Sequence, residues 1–126
     1  MCGITGIFGS LKKEEFDSSI YKMTSVLTHR GPDDGGVLVD ADNNIAFGHR
    51  RLSIIDLSIA GHQPMSSSCG RFTVVFNGEI YNHLKIRSEL DVSGSGILWK
   101  GRSDTETLVA AFSEWGVDKT LKRLSG

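Results

Sequence analysis

Met1-Cys2-Gly3-Ile4-Thr5-Gly6-Ile7-Phe8-Gly9 opens the chain, and its reading decides the fold. Branched and aromatic residues bounded by glycines predict a β-strand, and the glycines leave room above its backbone. Cys2 then falls at the first residue of a strand, where a rigid element holds its thiol. A residue as small as cysteine at position 2 permits removal of Met1, which would leave Cys2 with a free α-amine beside its thiol. An α-amine is partly neutral near about pH 7 and can take the thiol proton, so such a residue is a nucleophile with its own base. Taken alone, a cysteine at this position is more often incidental than catalytic.

Downstream of this strand, Phe16, Ile20, Met23 and Leu27 recur at helical spacing and predict a helix over 14–27 that covers one face of a sheet. Thr28-His29-Arg30-Gly31-Pro32-Asp33-Asp34-Gly35-Gly36 ends it; on composition this is a solvated turn. Val37-Leu38-Val39 and Ile45-Ala46-Phe47 read as strands joined in a hairpin by the polar turn 40–44. The second strand runs on into His49-Arg50-Arg51-Leu52-Ser53-Ile54-Ile55. Its arginines suit an exposed strand edge or, in a sharper reading, a guanidinium fork aimed at a carboxylate.

The stretch 56–70 has no periodicity and resembles a binding lid that ends in a surface turn, Ser66-Ser67-Ser68-Cys69-Gly70. Arg71-Phe72-Thr73-Val74-Val75-Phe76 is the strongest strand signal in the chain. Asn77-Gly78 follows it, and two readings compete there. One is a hairpin turn. The other is a strand passing into the helical pattern Ile80, Leu84, Arg87 with Asn82 as cap, which would expose a side-chain amide and a backbone N–H together, the two donors an oxyanion site needs. Ile97-Leu98-Trp99 reads as a short strand. Ser103-Asp104-Thr105-Glu106 has the form of a capping box ahead of a helix stopped by Gly116, with another helix beginning at 118. In that setting Asp104 would ordinarily complement the helix dipole.

Composition bounds the rest. The 126 residues, 39% hydrophobic and 23% charged, suit one domain with a modest core. A net charge of -1 without a basic cluster gives no pull towards nucleic acid or an anionic membrane. No apolar run is long enough to span a bilayer, the start lacks a signal-peptide pattern, and the cytoplasm is the expected compartment. Cys2 and Cys69 are read as free thiols. The four histidines show no metal-site spacing, so no metal ligands are expected.

Taken in order, Met1-Cys2-Gly3-Ile4, His29-Arg30-Gly31-Pro32-Asp33, Arg51-Leu52-Ser53-Ile54-Ile55-Asp56, Gly61-His62-Gln63-Pro64, Phe76-Asn77-Gly78-Glu79-Ile80-Tyr81-Asn82 and Ser103-Asp104-Thr105-Glu106 form a specific set that spans nearly the whole chain. Each motif is weak by itself. The ordered set closely resembles the N-terminal glutaminase domain of glutamine-hydrolysing asparagine synthetases, which are class II glutamine amidotransferases.

The resemblance implies an α+β fold of the N-terminal nucleophile hydrolase type, an αββα sandwich, with residues 1–126 forming an amidotransferase domain. It matches Cys2 to the nucleophile, and Asn77 and Gly78 to the oxyanion donors. Arg51 matches the grip on the substrate α-carboxylate, with the backbone of Leu52, Ser53, Ile54 and Ile55 alongside. Glu79 and Asp104 match the acidic groups that bind the α-ammonium of L-glutamine, and His29 and Arg30 match a stretch of structural support. No cofactor is implied for glutamine hydrolysis. ATP and magnesium are expected only in a synthetase domain, whose pyrophosphate-loop motif does not occur here. The sandwich is expected to be truncated in its C-terminal part, with an exposed sheet face and association with another chain, including a second copy, as the consequence. Besides an active glutaminase serving a synthetase domain that amidates aspartate, an inactive remnant or interaction module fits the same motifs, and a small α/β binding protein lies outside the family altogether.

Overall fold

The computed structural model describes residues 2–54 and 56–126. Among these the elements run β1 (Gly3–Phe8), α1 (Lys13–Val26), β2 (Asp34–Asp40), β3 (Ile45–Arg51), a single 3-10 turn (Ile59–Gly61), β4 (Met65–Ser66), β5 (Thr73–Val74), α2 (His83–Val92), α3 (Asp104–Trp115) and α4 (Val117–Leu121). The strand pairs are antiparallel in both sheets, ordered β1-β3-β2 and β4-β5, and the helices stand outside them, so the fold is α+β. The chain divides into two compact units, each described by itself.

The first unit holds residues 2–54, 62–64 and 75–77. Its sheet register pairs Gly3 with Arg50, Thr5 with Gly48 and Ile7 with Ala46, so these share one face. The helix α1 lies on that face, where Phe16, Ile20 and Ala46 are buried and Ile7, Val39 and Ala41 pack around them. Predicted Phe16 and Ile20 therefore face inward, but Met23 is exposed and Thr24 takes the inner position. Thr24 fits because Gly48 has no side chain: a Cβ there would collide with Thr24 Oγ1. The opposite face carries Ile4, His49 and Gly36 in one cross-strand row. The segment 62–64 lies on this second face, since a Cβ on Gly36 would strike the carbonyl oxygen of Gln63 and approach His62 Nε2 to 2.6 Å.

The second unit holds, among the described residues, 56–61, 65–74 and 78–126. Its helix α3 packs against α2, α4 and the small sheet. Ile80, Ile86, Leu90, Leu108, Val109, Ala111 and Phe112 are buried, and the Phe72 and Phe112 rings meet at 5.8 Å. Ser103 caps α3 as predicted, its Oγ accepting the Glu106 N–H at 3.1 Å. The reciprocal half of the capping box is missing because the Glu106 carboxylate accepts from Lys100 N, Gly101 N and Arg87 instead. Gly116 ends α3 at φ 78°, a conformation that favours glycine.

Three predicted features differ. The strand expected over 71–76 shrinks to Thr73–Val74, because its partner β4 is only two residues long. Ile97-Leu98-Trp99 is not a strand: Leu98 is 90% exposed, Trp99 lies under the Arg87 guanidinium at 3.9 Å, and its indole N–H donates to Asp91 at 2.8 Å. Side chains hold that stretch where a ladder was expected. Asn82 precedes α2 but does not cap it, since its amide instead donates to Arg123 O and accepts from Ser125 N.

Candidate functional site

Each unit contributes candidate residues. Cys2, Arg51, Leu52, Ser53, Ile54 and Asn77 belong to the first, and Gly78, Glu79 and Asp104 to the second. Ile55 and the fate of Met1 lie outside the described residues.

In the first unit Cys2 stands one residue before β1. Strand alternation gives it the face of Ile4 and His49, away from α1. It is half-buried and free of any disulfide. Its sulfur lies 3.4 Å from the Leu52 nitrogen and 3.8 Å from the Leu52 oxygen. Arg30 donates from Nε to the Cys2 carbonyl at 3.2 Å, so the turn read as solvated braces the start of β1. Gly31 lets that turn come so close, since a Cβ there would meet the backbone of Arg50 and Arg51. His29 turns away and is exposed, its ring nitrogen paired with Val26 O.

Arg51, at the end of β3, is buried rather than at an exposed edge. Its neighbour Arg50 is half-buried on the other face and donates to Gly31 O and Pro32 O. Asp33 fixes the strand end: its N–H donates to Arg51 O at 3.1 Å, and its carboxylate accepts the Ser53 N–H at 2.8 Å. The Ser53 N–H is therefore already engaged within the chain. Ile54 is exposed.

Asn77 is exposed and follows Phe76, whose two backbone groups are both held by buried side chains. Gln63 Oε1 accepts the Phe76 N–H at 2.6 Å, and His49 Nε2 pairs with the Phe76 carbonyl at 3.2 Å. The 62–64 segment is tied in turn to β2 by His62 Nδ1, which is 2.8 Å from Asp34 Oδ2. Burial pushes the His49 pKa below the ordinary imidazole value, with Arg51 and His62 acting in the same direction and the Phe76 carbonyl and Asp34 opposing. At about pH 7 the imidazole is therefore neutral, carrying its proton on Nε2 towards Phe76, while Nδ1 has no hydrogen-bond partner among the described residues.

In the second unit Asp104 is 7% exposed, and its Oδ2 accepts the Ile80 N–H at 2.9 Å. The carboxylate thus fixes the backbone two residues after Gly78, which goes beyond complementing a helix dipole. Gly78 and Glu79 are exposed. Asn77-Gly78 forms no hairpin; the chain continues through 79–82 into α2, which removes the turn reading.

Asp33 and Gln63 stand inside motifs that carry the resemblance and His49 heads the stretch 49–55, but sequence reasoning assigned none of the three a role. Their bonds join residues 13 to 27 positions apart in the case of Phe76, and 20 in the case of Ser53, with no local signature to reveal them. Among the described residues no group of three or more His, Cys, Asp or Glu could hold a metal ion, and no helix is long and apolar enough to cross a membrane.

Residues 1–126 match the family model described as a glutamine amidotransferase domain. Three proteins of Bacillus subtilis (strain 168) are similar over most of the chain. Asparagine synthetase (glutamine-hydrolyzing) 1 is 37% identical over 125 residues, 97% of this chain and 19% of that protein. Asparagine synthetase (glutamine-hydrolyzing) 3 is 37% identical over 122 residues, 94% of this chain and 19% of that protein. Asparagine synthetase (glutamine-hydrolyzing) 2 is 35% identical over 120 residues, 93% of this chain and 15% of that protein. The chain therefore spans less than a fifth of the length of these relatives.

Proposed function

Because this chain belongs to the glutamine amidotransferase family, as the glutaminase part of asparagine synthetases does, we propose that it hydrolyses L-glutamine to glutamate and ammonia through a thioester on Cys2. The Cys2 sulfur attacks the side-chain amide carbon of glutamine. Asn77, through its amide, and Gly78, through its N–H, receive the negative charge that develops on the carbonyl oxygen, a contribution typically worth about a hundred- to a thousandfold in rate per donor. The α-amine of Cys2, exposed by removal of Met1, passes the proton to the departing ammonia. Water then attacks the thioester carbonyl, the sulfur leaves, and glutamate is released.

Recognition of the free amino acid falls to charges at its far end. Arg51 pairs with the α-carboxylate beside the backbone of residues 52–55, and Glu79 and Asp104 pair with the α-ammonium. Peptide-bound glutamine lacks both charges and would leave buried groups unpaired. The ammonia would serve an ATP- and magnesium-dependent synthetase domain that amidates aspartate. The finer architecture we propose is the αββα sandwich of N-terminal nucleophile hydrolases.

One observation carries the reading. Within the first unit the Cys2 sulfur lies against Leu52, the residue next to buried Arg51, so nucleophile and carboxylate anchor occur on neighbouring backbone. A trapping experiment tests it. Hydroxylamine added to the full-length gene product with glutamine should yield γ-glutamyl hydroxamate, and intact mass should show Met1 removed. Cys2→Ala should bind glutamine and release no glutamate; release at the parental rate refutes the proposal. Met1 retained on an inactive protein would favour an interaction module.

A further inference from the structure

Phe76 immediately precedes the proposed oxyanion donor, and its peptide groups are held in an unusual way. A strand residue normally spends its N–H and carbonyl on a neighbouring ladder. The β5 ladder stops at Val74, and the polar groups of Phe76 pass instead to two side chains. Gln63 Oε1 accepts the N–H at 2.6 Å, and His49 Nε2 donates to the carbonyl at 3.2 Å. Both side chains are enclosed, Gln63 at 5% and His49 at 1% exposure.

These two bonds act on successive peptide planes. The Phe76 N–H belongs to the plane joining 75 and 76; its carbonyl belongs to the plane joining 76 and 77, which also contains the nitrogen and α-carbon of Asn77. Gripping both planes fixes the direction in which the Asn77 side chain leaves the backbone. The grips are rigid in turn. His49 sits in the central strand β3, and Gln63 follows His62, which is tied to Asp34 and seated against Gly36.

The geometry points to His49 and Gln63 as positioning residues that aim the Asn77 amide at the charge forming on the substrate, a role that rests on the glutaminase reading above. Neither touches the reacting atoms. An oxyanion donor is effective only when pre-aimed, and a misplacement of about 1 Å can cost about a hundredfold. Losing either grip should therefore slow the chemistry while leaving the charge-based grip on glutamine intact.

The full-length gene product is compared with His49→Leu and Gln63→Met, which remove the donor and the acceptor, and with His49→Gln, whose amide nitrogen can reach where Nε2 stood. Glutamate release by the leucine and methionine variants should fall about 10- to 100-fold in kcat, with KM for glutamine changed less than about threefold. His49→Gln should recover to within about fivefold of the parent. The Phe76 amide should exchange with solvent faster in Gln63→Met. A parental kcat in folded His49→Leu or Gln63→Met overturns the inference. So does an equal loss in His49→Gln, which would mark packing alone, or a rise in KM that accounts for the whole effect. Absence of glutamate release by the parent protein overturns the glutaminase reading itself, and the positioning role with it.

Discussion

Leu52 turns both of its backbone polar groups towards Cys2, the nitrogen 3.4 Å and the oxygen 3.8 Å from the sulfur. A protonated sulfur has an acceptor there, and an ionised one has a donor. Serine at position 2 can make the same two bonds with a weaker nucleophile. Cys2→Ser should therefore unfold in urea within about 0.5 kcal/mol of the parent, yet release no glutamate above background. A stability loss as large as the activity loss would show that the sulfur acts through packing.

Asp104 separates structure from substrate recognition by which substitution is chosen. Its Oδ2 holds the Ile80 N–H, and Thr105 Oγ1 approaches its other oxygen at 3.4 Å. Asp104→Asn keeps an acceptor for Ile80 and loses the charge. It should fold normally while KM for glutamine rises about 10- to 100-fold, the worth of a hydrogen bond to a charged group. Asp104→Ala strands the Ile80 N–H and should also lose about 1–3 kcal/mol in urea unfolding. Equal stability losses in both variants would contradict this division.

His49 makes stability depend on pH. Its folded pKa is lowered, chiefly by burial, so the unfolded chain binds the proton more readily. The contribution is present in full above the unfolded value near about pH 6.5 and is lost as pH falls towards the lowered folded value. Asp34, Arg51 and His62 are the charged or titratable groups that bear on it. Urea midpoints measured from about pH 8 to about pH 5 should fall on acidification, and His49→Gln should flatten part of that slope. Identical slopes in the two proteins would exclude His49 as a contributor.

The other thiol, Cys69, should react readily with reagents in solution near neutral pH. Cys69 sits exposed in the turn between β4 and β5, with Ser113 Oγ at 3.4 Å and Ser67 Oγ at 3.3 Å. The Ser113 hydroxyl, then that of Ser67, pulls its pKa down to about 7. Iodoacetamide labelling of the Cys69 peptide, followed by mass spectrometry, should show a midpoint near pH 7, and Ser113→Ala should shift it upward. Cys69→Ser should leave glutamate release within about twofold of the parent. A midpoint above about 8.5, that of an ordinary thiol, would contradict the assignment.

Local patterns were legible and long-range ones were not. Phe16 and Ile20 announced α1, the polar run 40–44 announced the β2–β3 hairpin, and Ser103 and Gly116 marked the ends of α3. These signals lie within a few residues of what they specify. Propensity overstated the strand at 71–76, because pairing needs a partner and β4 offers only Met65 and Ser66. It overstated Ile97–Trp99 for the same reason, since Arg87 over the Trp99 ring and Asp91 at its indole N–H hold that stretch instead. The candidate site was legible as a set of motifs. The supporting roles of Asp33, His49 and Gln63 were not, even though Asp33 and Gln63 lie inside those motifs, because each is a single side chain reaching across sequence to a backbone group.

The seat of Thr24 on Gly48 makes change at one position wait on the other. Thr24 spends its hydroxyl on Ile20 O at 2.7 Å and occupies the space that a side chain at 48 would need. Drift at 48 is then conditional: Thr5 Cγ2 also lies 2.9 Å from where a Cβ would stand, so a methyl at 48 becomes tolerable only in a lineage whose side chain at 24 has first shrunk and whose Thr5 can give way. Among descendants of this chain Gly48 should be replaced only where position 24 has already changed, although 24 positions of sequence separate them.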